Sequence, residues 1–169
     1  MSMKKEKTIW VLITVAVAVV AAAILFGSIR SFYHAGKGTH RHAELDGDGN
    51  LHFSIKDLSE KDVSFIRAPG SNKIELLARL DKTGAARIAL GTCQSCNGSP
   101  QAYYIQQRNL LICNNCGQTF SLDVIDTPGG GCRPMALPDG VLSLTGDEAV
   151  IRADALPALE KLFANVEEH

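Results

Sequence analysis

The 169-residue chain carries no Gly-x-Ser-x-Gly nucleophile turn, no Gly-rich phosphate-binding loop and no evident acid/base pair. Hydrolytic and phosphoryl-transfer chemistry therefore have no residues to stand on. An excess of positive charge is also lacking, with 17 Lys and Arg against 18 Asp and Glu, for a net charge of −1. Residues 30–169 hold 14 of those basic and 17 of those acidic side chains, a balance of −3. Nucleic-acid binding finds no support in such a balance. There is no internal repeat apart from one doubled cysteine motif.

One segment lacks polar residues almost entirely. Between Ile9 and Phe26 the sequence reads "IWVLITVAVAVVAAAILF", with Thr14 as its single polar member. Continued through Ile29 as a helix it would cover about 31 Å, which matches a bilayer core. No polar stripe marks it as a soluble core helix. A cleavable signal peptide has an apolar region of only about 7–15 residues. "AAA" at Ala21–Ala23 imitates a cleavage site, yet Ile24, Leu25 and Phe26 continue the run, and no lipobox cysteine follows. The expectation is an uncleaved single-pass anchor over 9–29. Lys4, Lys5 and Lys7 precede it and only Arg30 lies close behind, so residues 1–8 are expected in the cytoplasm and the rest outside. This places the chain in the cell (inner) membrane with an extracytoplasmic or periplasmic C-terminal part. Trp10, Phe32 and Tyr33 suit interfacial anchoring.

"SFYHAGKGTHRHAELDGDGN" has no apolar period, so residues 30–50 read as a juxtamembrane linker. From Leu51 onward short β-type runs alternate with turns. "LHFSI", "DVSFIRA", "KIELLARL", "ARIAL", "AYYI", "LLI" and "EAVIRA" are the candidate strands. "DKTG", with Gly84, and "QQRN" read as hairpin loops. Near the C-terminus Leu156, Leu159, Leu162, Phe163 and Val166 recur at helical spacing, with Asp154 as the expected N-cap and Pro157 in the first turn. The expected fold is mainly β (α+β): an N-terminal transmembrane helix, a linker, and a β-rich domain over 51–169 ending in a helix.

Four of the five cysteines form two Cys-x-x-Cys pairs, Cys93/Cys96 and Cys113/Cys116, with 16 residues between them. The spacing suits a two-knuckle tetrathiolate site. Each tight turn aims two sulfurs at one spot, and a hairpin brings the turns face to face around zinc or iron at about 2.3 Å. Gly117 after the second pair permits a positive φ, which turns backbone N–H groups toward the sulfurs. Two other readings stay open. An oxidising compartment favours disulfides, though a Cys-x-x-Cys bridge closes too short a loop to stabilise much. A redox dithiol would open a helix after a strand, whereas these pairs sit in Gly- and Asn-rich turns. No His follows either pair, which excludes c-type haem attachment.

Cys132, in "TPGGGCRPMALPDG", is a fifth candidate ligand; the three glycines before it suggest a loop that comes close to the centre. "DGDGN" resembles the start of a calcium loop but fails at Leu51 and Asp57, and reads as a turn. His34, His40 and His42 could hold a labile metal ion, with a solvated linker as the plainer reading.

The order of these elements carries a resemblance. "IALGTCQSCNGSPQAYYIQQRNLLICNNCGQTF" followed by "GGGCRPMALP" resembles the FtrD-like membrane iron–sulfur proteins of bacteria, more loosely from about Leu51 to Phe163. The resemblance implies a membrane-attached domain outside the cytoplasm that binds iron or an iron–sulfur cluster. Cys93, Cys96, Cys113 and Cys116 would be the ligands, and Cys132 a fifth matching position. It also implies iron uptake with a high-affinity iron permease, or other membrane uptake components, as partner. Some relatives carry the domain on several membrane helices; with a single helix this chain would be an accessory in electron transfer or metal relay, and the lean is away from an enzyme. The alternatives are a structural zinc domain for protein interaction and a membrane-tethered thiol–disulfide oxidoreductase.

Overall fold

The computed structural model describes residues 13, 15–24, 37–70, 73–127 and 129–167, in two compact units divided after Ala35. In the first unit residues 15–24 are helical and exposed. Among the described residues no helix is long and apolar enough to cross a membrane. Residues 9–12, 14 and 25–29 of the expected anchor, and His34, lie outside the described residues.

The second unit is mainly β with a short C-terminal helix. Its strands are β1 (Thr39–His42), β2 (Glu44–Leu45), β3 (Leu51–Ser54), β4 (Ser64–Arg67), β5 (Glu75–Leu80) and β6 (Ala86–Cys93). Then come β7 (Tyr104–Gln107), β8 (Leu110–Cys113), β9 (Thr119–Ser121), β10 (Pro134–Met135), β11 (Leu142–Thr145) and β12 (Glu148–Ile151). They form three sheets, of order β1-β4-β5-β6-β10, β11-β12-β3-β2 and β7-β8-β9. All pairings are antiparallel except β1 with β4.

Strand β5 lies between β4 and β6 and is buried from Glu75 through Arg79, so its sequence shows an apolar run in place of a clean alternation. Leu76 faces Leu90 across the ladder and Ala78 faces Ile88. Leu51, Val63, Phe65, Ile66, Leu111, Ile151 and Phe163 complete a core in which each is at most 1% exposed. The Asp81–Ala85 loop closes the β5–β6 hairpin with Gly84 at φ 81, the left-handed residue that "DKTG" implied.

The structure differs from the sequence expectation in three places. Strands occupy 39–45 inside the expected linker, because Thr39–His42 pairs in parallel with Ser64–Arg67 and His40 stacks on Phe65 at 5.1 Å between ring centroids. The "QQRN" loop shortens to Arg108 and Asn109, since Gln106 and Gln107 stay in β7 and Arg108 takes φ 55. The C-terminal helix, α1, runs only Leu156–Lys161, preceded by a 3-10 turn at Ala153–Ala155. Asp154 does not cap it; its carboxylate pairs with Arg152. "DGDGN" is a turn, in which Asp46 accepts from the backbone N–H groups of Asp48 and Asn50 and lies 2.8 Å from His52.

Candidate metal centre

Each cysteine pair begins where a strand ends. Cys93 is the last residue of β6, and its N–H donates to the Ala102 carbonyl at 3.0 Å. The chain then turns, with the Ser99 N–H donating to the Cys96 carbonyl. Asn97 anchors this turn by donating to the Leu162 carbonyl at 2.7 Å, which ties the first knuckle to the C-terminal segment. Cys113 likewise ends β8, and the Gly117 N–H donates back to its carbonyl at 2.8 Å. Gly117 has φ 71 with no atom near its would-be Cβ, so glycine is there for the backbone angle alone. The two turns are also stitched together directly, Ser99 Oγ lying 2.6 Å from Asn115 Oδ1.

Cys132 arrives from a third element. Strand β10 sets Pro134 opposite Cys93, and the Gln94 N–H donates to the Arg133 carbonyl at 3.0 Å. The loop does come close to the centre, since the Cys132 sulfur lies 3.4 Å from that of Cys116, but close packing at the glycines is not what brings it there. Gly130 and Gly131 have open space beside them, Gly131 serving its φ of 97, while Gly129 makes room for the Arg133 side chain.

All five cysteines are free thiols. The sulfurs of Cys93, Cys96 and Cys132 lie within 4.8 Å of one another, as do those of Cys96, Cys113 and Cys116. The Cys116 and Cys132 sulfurs are 3.4 Å apart. Thus the two knuckles and the Cys132 loop meet at one place, with Cys96 common to both groups. Sulfurs around one ion at the usual ~2.3 Å bond length would stand about 3.8 Å apart, so each group of three is near that spacing, while the four knuckle cysteines expected as ligands do not by themselves form one such group. No His or carboxylate joins the cluster among the described residues. His40 and His42 stand on β1 and enter no such group.

Burial and mutual hydrogen bonding sort these thiols. A backbone N–H from Gln118 holds Cys116 down at about 7, helped by donation from the Cys132 and Cys113 thiols. Cys132 is pushed up to about 12, first because its proton is the one given to Cys116. Burial raises Cys113 and Cys96. Burial also presses Cys93 upward, but hydrogen bonds from Tyr104, the Cys96 N–H and the neighbouring thiols outweigh it and leave Cys93 lowered. Protons are therefore shared across one cluster, and a thiophilic cation would displace them on binding. The donor set is all sulfur, which suits iron, iron–sulfur clusters or zinc over hard cations. Neither pair opens a helix, unlike a thioredoxin-type dithiol.

Sequence reasoning passed over Tyr104. It is fully buried, opposite Cys113 in the β7–β8 ladder, and its hydroxyl donates to the Cys132 carbonyl. A tyrosine directly across a hairpin from a candidate ligand was the available signal.

A family model described as membrane iron–sulfur containing protein, FtrD-like, matches residues 55–163, a span that holds all five cysteines. No curated protein and no solved structure matches the chain.

Proposed function

The chain belongs to the FtrD-like family of membrane iron–sulfur containing proteins, and on that premise we propose that Cys93, Cys96, Cys113 and Cys116, joined by Cys132, hold an iron or iron–sulfur centre that passes electrons or metal at a membrane surface. The observation that carries this reading is the meeting of five free thiols from three separate chain elements. Iron bound by thiolates exchanges one electron with little change of geometry, and nearby hydrogen bonds and exposure set its potential.

The chain's own residues supply the rest. The Gln118 N–H aims at the Cys116 sulfur, Tyr104 at that of Cys93, and Cys93 and Cys113 are both fully buried. Cys116 is exposed, so the second knuckle is the side from which a redox or metal-donating partner would reach the centre. In this proposal residues 9–29 anchor the chain, residues 1–8 are cytoplasmic, and the domain after the 30–50 segment faces outward. It serves as an accessory to an iron permease or other membrane uptake component.

Elemental analysis and the visible spectrum of anaerobically purified protein test the reading. Iron with thiolate charge-transfer absorption is expected. Zinc without visible bands would overturn it in favour of a structural zinc domain, a reading consistent with two buried cysteines fastening strand ends.

A further inference from the structure

Cys132 stands 16 residues beyond Cys116, in a loop where Gly130 and Gly131 face open space, yet its sulfur lies close to both knuckles. Something must hold that loop against the centre. Strand β10 contributes two residues, with a register irregularity between them, and one further backbone bond joins Gln94 to Arg133. Cys132, Met135 and Leu137 also pack against the core, and a directional tie comes from the hairpin that spaces the knuckles apart. Tyr104, at 0% exposed, reaches across so that its hydroxyl donates to the Cys132 carbonyl. The same hydroxyl neighbours the Cys93 sulfur. A phenol has one proton, so a single buried donor faces both the loop that brings the fifth thiol and a sulfur of the first knuckle.

We propose that Tyr104 is the positioning residue of the centre: its hydroxyl fixes the Cys132 loop over the two knuckles and so determines that the site presents five sulfurs. The role rests on the reading of the thiols as a metal centre, but it concerns the metal-free fold as well. A half-buried carbonyl stripped of its donor has reason to turn toward water, and the adjoining sulfur would move with it. Leu, Ile or Phe at this position would fill the same core space without supplying the donor. The tyrosine hydroxyl is thus the feature with a task at the site, and the ring is what the core needs.

The test is thiol footprinting of the full-length, metal-free chain in detergent, comparing wild type with Tyr104→Phe. In the variant, alkylation of Cys132 should rise roughly threefold to tenfold, the population change carried by the loss of one net hydrogen bond, while Cys113 stays protected. An unchanged Cys132 rate would overturn the proposal. If all five thiols open together, Tyr104→His decides, because it keeps a ring donor on the same strand. Restored protection of Cys132 supports positioning, and exposure in both variants assigns Tyr104 to core packing alone. In iron-loaded protein, Tyr104→Phe should keep its iron but shift its midpoint potential; retained iron at an unshifted potential would contradict the role at the centre. Because the footprint is read without metal, it succeeds or fails independently of the iron reading.

Discussion

Replacing Gln106 with Leu should loosen the hairpin that carries the second knuckle without touching a sulfur. Gln106 lies on β7 and is 4% exposed. Its Oε1 accepts from the buried Val63 N–H at 2.7 Å, and its Nε2 donates to the carbonyl of Lys61 at 3.0 Å and that of Arg108. One side chain therefore joins the three-stranded sheet to the segment entering β4. Leucine fills similar space but leaves the Val63 N–H with no acceptor in a residue that is 0% exposed. An orphaned buried N–H costs about 1–3 kcal/mol and a further lost hydrogen bond about 1 kcal/mol, so the expected loss is about 2–4 kcal/mol. That is a large fraction of the ~5–15 kcal/mol of an ordinary domain. Urea unfolding of the metal-free full chain in detergent, followed by far-UV circular dichroism, measures it. The bound metal per chain should be unchanged in folded protein, since Gln106 stands opposite Leu111 toward the hairpin's turn and its side chain bonds Val63, Lys61 and Arg108. A loss under about 0.5 kcal/mol, the size of an ordinary surface substitution, would refute the reasoning.

Further outcomes follow from other residues. Gly117→Ala should destabilise by about 1–2 kcal/mol, the cost of a left-handed non-glycine, with no steric part because nothing stands near its Cβ; a loss above about 3 kcal/mol would mean a clash the geometry does not contain. In metal-free protein the alkylation rate of Cys116 should climb as pH rises through about 7, because the thiolate is the nucleophile and the Gln118 N–H stabilises it. Cys132, pushed up to about 12, should still react slowly at that pH, and equal rates for the two would contradict the sharing of one proton between them. The mature protein should keep residues 1–29 and fractionate with membranes, and an N-terminus found near Ile24 or Gly27 would identify a signal peptide instead.

The sequence was legible where its information was local. Alternation in "LHFSI" and the Gly84 loop signal correspond to β3 and the β5–β6 hairpin, and the Cys-x-x-Cys turns sit at strand ends beside a positive-φ Gly117. Non-local pairing was not legible. Thr39–His42 is polar and Gly-flanked, and becomes a strand only because β4 is available beside it. The Leu/Phe stripe at the C-terminus does pack inward, Leu159 and Phe163 both being buried, but the helix stops at Lys161 and the remaining residues turn. Cys132 could be flagged as unexplained from spacing, yet its meeting with the knuckles depends on β10 crossing to β6, a contact with no local signature. Tyr104 was passed over for the opposite reason: an aromatic residue in an apolar strand reads as core, and its place across the hairpin from Cys113 gains meaning only with its hydroxyl's partner in view.

The most direct test of the central claim is X-ray absorption at the metal edge of protein purified without oxygen. The account predicts iron in a shell of sulfur alone at about 2.3 Å, weakened by serine at any of Cys93, Cys96, Cys113 or Cys116. A shell dominated by oxygen or nitrogen, or a metal-free protein whose cysteines are paired as disulfides, would contradict it.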